Sequence, residues 1–245
     1  MEIGAQFFTV RDFCQNLNDF EESLKKVADI GYKNVQISGT CDYDPKWLDE
    51  KLKENGLRCV ITHTPADKLI ANPQKICEDH SAFGCDYIGL GGFNFNTGTL
   101  EEFYDKYSVV SKTFVQNGKY LMYHNHDGEF NKKDGKLIID HLAEHFSPED
   151  MGFTLDVFWV QAGGGDPAYW LERLSGRVPC IHLKDFSFGR KMAVIGEGNM
   201  NFDRIFEKAE TAGTQWMLVE QDDCYGENPF DCLKRSYDYL TSKGF

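Results

Sequence analysis

Short continuous apolar runs alternate with stretches of helical spacing along the whole chain. Runs rich in Val, Ile, Leu, Phe and Tyr predict strands buried on both faces, at Ile3–Phe8, Asn34–Ser38, Arg58–Thr64, Tyr87–Gly91, Tyr120–His126, Gly152–Phe158, Pro179–Asp185 and Trp216–Gln221. Between them apolar residues recur every three to four positions, which predicts helices over Leu17–Ile30, Pro45–Asn55, Pro73–Phe83, Leu100–Gln116, Lys136–His145, Ala168–Leu174, Phe202–Ala212 and Pro229–Leu240. Gly31, Gly56, Gly84, Gly118 and Gly213 stand just past the last periodic residue of a helix, where glycine most readily turns the chain. Asp44-Pro45, Asn72-Pro73, Asp166-Pro167 and Asn228-Pro229 place a capping side chain ahead of a proline whose missing N–H is harmless at the first helical position.

The pattern is a strand–helix unit repeated eight times, with short connectors and no Ser/Pro-rich linker. Such alternation predicts a parallel sheet in one domain. Eight units in 245 residues match the ~250 residues of a closed barrel. The expected fold is therefore α/β, a single (β/α)8 TIM barrel spanning residues 1–245. An open doubly wound sheet is the competing architecture. It usually carries a Gly-rich turn after its first strand, whereas this chain continues into Thr9-Val10-Arg11-Asp12, and no phosphate-binding P-loop occurs elsewhere.

Charge narrows the partners. With 39 acidic against 26 basic residues the formal charge is −13, which repels phosphate backbones and anionic lipid, so no nucleic acid and no membrane are expected as partners. No stretch approaches the ~18 apolar residues of a spanning helix. The start, Met-Glu-Ile-Gly-Ala-Gln, lacks a basic region followed by an apolar core. A soluble, cytoplasmic chain with a small-molecule substrate is the expectation, and assembly of several copies as a homo-oligomer stays open. The eight cysteines include no C-x-x-C pair and lie mostly in apolar or helical segments, as reduced thiols do.

In a barrel of this kind chemistry sits at the carboxyl ends of the strands. Four late strands end on ionisable groups: Tyr123-His124-Asn125-His126 with Glu129 beyond, Leu155-Asp156, His182-Leu183-Lys184-Asp185 and Val219-Glu220. Each follows apolar residues, where an unpaired charge is costly. A divalent cation is the simplest compensation, and the mixture of imidazole and carboxylate suits Mn²⁺, Zn²⁺ or Co²⁺ better than Ca²⁺, with Mg²⁺ less favoured. Each residue also has a plainer reading. Asp156 could cap the next turn, His182 could be a satisfied core histidine, and Glu220 could pair with Lys184. Their common position on successive strands favours one shared site. His63 belongs to the same mouth, whereas His80, His141 and His145 fall in or at the ends of helices and are expected on the surface.

With Tyr123-His-Asn-His-Asp-Gly-Glu-Phe130, Leu155-Asp156, His182-Leu-Lys-Asp185, Ile195-Gly-Glu-Gly198, Asn201-Phe-Asp203 and Val219-Glu220, the chain resembles sugar isomerases/epimerases of the xylose-isomerase-like TIM-barrel superfamily. That group also contains inosose dehydratases and endonuclease IV-type enzymes. The resemblance implies one divalent metal held after strands five to eight by Glu, Asp, His and Glu. Three positions map onto Asp156, His182 and Glu220. At the first, histidine His124 stands where a carboxylate is usual, which changes ligands plus metal from one net negative charge to neutrality and removes a proton acceptor.

In the superfamily's epimerases two glutamates exchange a proton beside a carbonyl that the metal polarises. Here Glu220 takes one such role, and Glu129, or Glu197 less favourably, is expected to restore a carboxylate to the mouth. Lys184 is expected to bind a substrate hydroxyl or an enolate oxygen, or to pair with Asp156 or Glu220. His63 and His126 are expected at sugar hydroxyls, and Trp159, Phe8 and Phe186 as an apolar wall. Few cations stand near the mouth (Arg11, Lys184, Arg190, Lys191), and Gly163-Gly164-Gly165 reads as a tight turn, so a phosphate on the substrate is not specified. The first functional reading is metal-dependent isomerisation or epimerisation of a small sugar, sugar phosphate or keto-sugar. The alternative is a lyase or dehydratase acting on a keto-sugar or inosose by β-elimination. An endonuclease IV-like activity is remote, because it needs a trinuclear metal cluster and a basic rim, against seven histidines and a charge of −13.

Overall fold

The computed structural model describes residues 1–245. Eight parallel strands close a barrel: β1 (Glu2–Gln6), β2 (Asn34–Ile37), β3 (Arg58–His63), β4 (Tyr87–Leu90), β5 (Tyr120–His124), β6 (Met151–Asp156), β7 (Cys180–Leu183) and β8 (Trp216–Val219). Every strand pairs with its neighbours in sequence, and β1 closes the ring on β8 from Glu2↔Trp216 to Ala5↔Val219. An outer ring of helices follows: α1 (Leu17–Ile30), α2 (Pro45–Glu54), α3 (Ala66–Ala71), α4 (Pro73–Ala82), α5 (Leu100–Gln116), α6 (Ile138–His145), α7 (Val157–Ala162), α8 (Pro167–Arg173), α9 (Phe202–Ala212) and α10 (Pro229–Ser242). The expected caps are in place: Asp44, Asn72, Asp166 and Asn228 each accept a backbone N–H ahead of an N-terminal proline, and α9 ends on a left-handed Gly213. No helix is long and apolar enough to cross a membrane.

The apolar residues form two bodies. A large layer packs the strands against the helices, and a smaller plug of Val60, Ile61, Met122, Cys180, Trp216 and Leu218 fills the barrel. The plug closes one end, so polar side chains gather at the strands' carboxyl ends. Register sets their level. His124 pairs with Thr154, Asp156 pairs with His182, and His182 pairs with Leu218, two residues below Glu220.

Several elements differ from the sequence expectation. The chain leaves β1 into a 3-10 turn at Phe7–Phe13, and β6 stops at Asp156, whose carboxylate caps α7 through Trp159 N–H at 3.0 Å. Two short hairpins, Lys132–Lys133 with Lys136–Leu137 and Asp185–Ser187 with Lys191–Ala193, lie on the mouth side. His80 is buried, not on the surface. Its ring bridges Thr62 Oγ1 (2.8 Å) and the Ile76 carbonyl (2.8 Å), so α4 turns it toward β3, and burial pulls its pKa down to about 4. His141 is half-buried and His145 exposed. All eight cysteines are free thiols, six buried and two (Cys41, Cys224) half-buried.

Candidate metal centre

The ends of β5 to β8 bring His124, Asp156, His182 and Glu220 together, all buried, with one nitrogen or oxygen from each lying within 4.8 Å of all the others. His124 Nε2 stands 3.2 Å from Asp156 Oδ2, and His182 Nδ1 stands 3.5 Å from that oxygen and 2.8 Å from Glu220 Oε2. Ligands held ~2.1 Å from one ion lie about 3 Å apart when adjacent and about 4 Å when opposite. The four side chains therefore have the spacing of a metal's ligand set.

Their outer contacts orient them. His182 donates from Nε2 to Gln36 Oε1 at 2.7 Å, and His124 from Nδ1 to the Gly91 carbonyl at 3.2 Å. In the neutral form each ring then turns its other nitrogen, carrying a lone pair, toward a carboxylate. His182 Nδ1 makes no hydrogen bond although it lies 2.8 Å from Glu220 Oε2, whose other close neighbour is Lys184 Nζ at 2.9 Å. Two lone pairs at that distance repel unless a proton or a cation lies against both, and tethered outer nitrogens are the usual arrangement of metal-ligating histidines. Asp156 is fixed likewise: Oδ1 accepts from Trp159 N–H, its own N–H donates to Asn125 Oδ1 at 3.0 Å, and Oδ2 is left for the cluster.

Lys184 supplies the positive charge already present. Its Nζ lies 3.1 Å from Asp156 Oδ2, 2.9 Å from Glu220 Oε2 and 2.8 Å from Asp222 Oδ1, so the plain salt bridge and the place at the mouth are both observed. Burial opposes ionisation of Asp156 and Glu220, but the ammonium and the imidazoles outweigh it and hold both well below the usual carboxylate range. Burial likewise opposes the charge on Lys184 and on His182, and the facing carboxylates outweigh it, raising both. His124, buried and beside His182, drops to about 4, and the same causes keep His63 neutral. Burial and the repulsion of Glu220 lift Asp222 to about 6.

A cavity of about 350 Å³ opens over the cluster, lined by Phe8, His63, His124, His126, Lys184, Glu220 and Asp222 among others. His63 faces it with a buried Nε2 that has no partner, its ring 5.0 Å from that of His124. The ring fits because β4 carries Gly89 beside it, where a Cβ would fall 2.8 Å from His63 Cδ2. Trp159 stands behind the cavity, 5.3 Å from His126 and 5.6 Å from Lys184 Nζ.

Glu129 does not return a carboxylate to the mouth. It is buried in the turn after β5, one oxygen accepting from Tyr123 O–H and the other from His126 N–H at 2.9 Å. Glu197 is bound to Arg235 at 2.9 Å, Phe186 packs on Phe158, Arg190 pairs with Asp127, and Lys191 lies over Tyr225. Gly163 and Gly165 make room for Phe130. Three contributors have no role in the sequence reading: Gln36, and Asn125 and Asp222, which stand in the strand-end runs. An amide set between Val35 and Ile37 inside a fully buried strand was the available signal for Gln36. Asp185, beside Lys184, turns away from the cluster. It accepts N–H groups from Phe186, Gly196, Gly198 and Met200 at 2.8 to 3.2 Å, folding the Ile195–Gly198 motif into a fixed loop.

The Xylose isomerase-like TIM barrel family matches residues 24–242. The chain belongs to this family. It is 24% identical to an inosose dehydratase of Mesomycoplasma hyopneumoniae (strain J / ATCC 25934 / NCTC 10110), over 91% of this chain and 88% of that one. Among solved structures, a sugar phosphate isomerase/epimerase from Parabacteroides distasonis ATCC 8503 superposes with a TM-score of 0.83 at 23% identity, covering 98% of this chain and 96% of that one. An L-ribulose 3-epimerase does so with a TM-score of 0.78 at 14% identity, covering 99% and 94%. Xylose isomerase-like neighbours thus include both dehydratases and epimerases.

Proposed function

We propose that this xylose isomerase-like barrel is a divalent-metal-dependent enzyme that removes a proton next to the carbonyl of a keto-sugar or inosose. The observation that carries the reading is the facing of two imidazole nitrogens against two ionised carboxylates, with both outer nitrogens tethered. His124, Asp156, His182 and Glu220 suit Mn²⁺, Zn²⁺ or Co²⁺ ahead of Mg²⁺. A cation held there supplies Lewis acidity toward a carbonyl oxygen and charge to offset the enediolate. Glu220, kept ionised by its neighbours, accepts the proton. Lys184 donates hydrogen bonds to an oxygen gaining negative charge, while His63 and His126 meet hydroxyls and Trp159 backs the site.

Loss of a β-hydroxyl, with the proton and hydroxide leaving together as water, is the outcome the site favours. Epimerisation calls for a carboxylate on each face of the substrate, yet imidazole occupies one family position and Glu129 is committed to Tyr123 and His126. The curated relatives, inosose dehydratases at 22–25% identity, agree with that choice. Isomerisation or epimerisation, which the sequence puts first, keeps one supporting observation: Asp222 lines the cavity as a further carboxylate. Incubating the Mn²⁺-loaded protein with inososes and keto-sugars in D₂O separates the two. Elimination gives mass loss of water and an enone or diketone chromophore. Deuterium entering recovered sugar without loss of water establishes epimerisation instead, and neither reaction across the panel with metal bound overturns both.

A further inference from the structure

A second cleft, of about 790 Å³, runs between the loop from β4 to α5 and the loop from β5 to α6. It is continuous with the catalytic cavity, because Gly91, Gly92 and His126 line both. Its chemistry changes away from the metal ligands. Phe93 and Phe95, half-buried with ring centroids 4.8 Å apart, offer apolar faces, and the amides of Asn96 and Asn131 stand beside them. The platform is preformed. Phe103 braces Phe93 at 5.3 Å, and Gly98 lies so close that a Cβ there would fall 2.5 Å from the Phe93 ring. Asn94 fixes the loop, its Oδ1 taking Asn96 N–H at 3.0 Å and its carbonyl taking Gly98 N–H at 2.9 Å.

An apolar face flanked by amide donors and acceptors matches a pyranose, whose C–H face packs on the ring while its hydroxyls bond at the edge. Acidic groups there are already engaged: Glu129 by Tyr123 and His126, Asp127 by Arg190. Ligand sites span ~300–1,000 Å³, so the 350 Å³ catalytic cavity alone is at the small end of that range. We propose that this cleft is a subsite for a second sugar ring, so that the substrate is a keto-sugar in glycosidic linkage. The proposal rests on the reading of the cavity as a keto-sugar site.

Calorimetric titration of the Mn²⁺-loaded protein with glucose, cellobiose, maltose and glucose 6-phosphate tests it through binding, without turnover. At least one disaccharide is expected to bind about tenfold more tightly than glucose. Phe95→Ala and Asn96→Ala should each abolish that gain while leaving glucose binding and the turnover of free keto-monosaccharides unchanged. Asn96 is exposed and its side chain makes no hydrogen bond within the protein, so its variant keeps the fold even if loss of Phe95 loosens the contact with Phe103. No disaccharide surpassing glucose, or a gain that survives in Asn96→Ala, overturns the subsite. So does tighter binding of glucose 6-phosphate than of any disaccharide, which assigns the cleft to an anion at Lys132 and Lys133 instead. Failure of keto-monosaccharide turnover is a separate result that bears on the reaction alone.

Discussion

Replacing Gln36 with methionine keeps the side-chain volume and removes the amide oxygen 2.7 Å from His182 Nε2. Both side chains are fully buried, so the orphaned N–H has no water to turn to, and a buried unpaired donor costs ~1–3 kcal/mol. The ring escapes by carrying its hydrogen on Nδ1, where Glu220 and Asp156 receive it. That tautomer keeps its lone pair on Nε2 and turns none toward the cluster. Metal affinity should fall by the energy needed to return the hydrogen to Nε2, which is ~5–150-fold for ~1–3 kcal/mol and brackets the 10–100-fold found for outer partners of ligating histidines. The metal-free fold should keep its melting temperature, because Gln36 Nε2 has no partner and its removal relieves a desolvated amide. Calorimetric titration of Mn²⁺ or Co²⁺ into metal-stripped wild type and Gln36→Met reads the difference directly. Equal affinities in two well-folded proteins would refute the tautomer reasoning.

Asp156→Asn keeps an acceptor for Trp159 N–H but loses the oxygen shared by His124, His182 and Lys184, so bound metal should be lost with an unchanged far-ultraviolet circular dichroism spectrum; full occupancy removes Asp156 from the site. Metal affinity should also depend on pH. The facing carboxylates overcome burial and raise the His182 pKa, so below that pKa a cation must displace a proton, and the logarithm of the affinity should fall by about one per pH unit on acidification and level off above it. Titrations that stay flat from about pH 5 to 8 argue against ligation by His182. Glu129→Gln disturbs the bond from Tyr123 and should destabilise by ~1–3 kcal/mol in urea unfolding with metal affinity unchanged. Weaker metal binding at unaltered stability would return Glu129 to the mouth.

The barrel was legible because its strands are buried on both faces and its helices are punctuated by Pro and Gly, signals that act within a few residues. The clustering of His124, Asp156, His182 and Glu220 was legible for the same reason, since each follows an apolar run at a strand end. What escaped prediction depends on direction rather than position. Glu129 lies five residues beyond His124, but a 3-10 turn swings it back onto Tyr123, and nothing in its neighbours' identities states that rotation. His80 sits on a helix of weak amphipathicity, so its inward face shows only in its partners Thr62 and Ile76. Asp222 follows Glu220 by two residues outside any regular element, and its closeness to Lys184 comes from the way β7 and β8 lie side by side.

The four clustered residues all come from the second half of the chain, but the amide that orients His182 comes from β2, and in the ring β1 and β8 stand between β2 and β7. Opening the barrel at the seam where its first and last strands meet would part Gln36 from His182 while leaving the pairing of β5, β6, β7 and β8 with one another intact. An ion held by these residues would therefore sense whether the ends of the chain are joined. Its binding energy would oppose fraying of the amino terminus, so stability should rise with metal concentration, by ~2.7 kcal/mol at a hundredfold excess over Kd. Trimming β1 should register first as weaker metal binding at His182, far along the chain from the cut, before the helices lose their order.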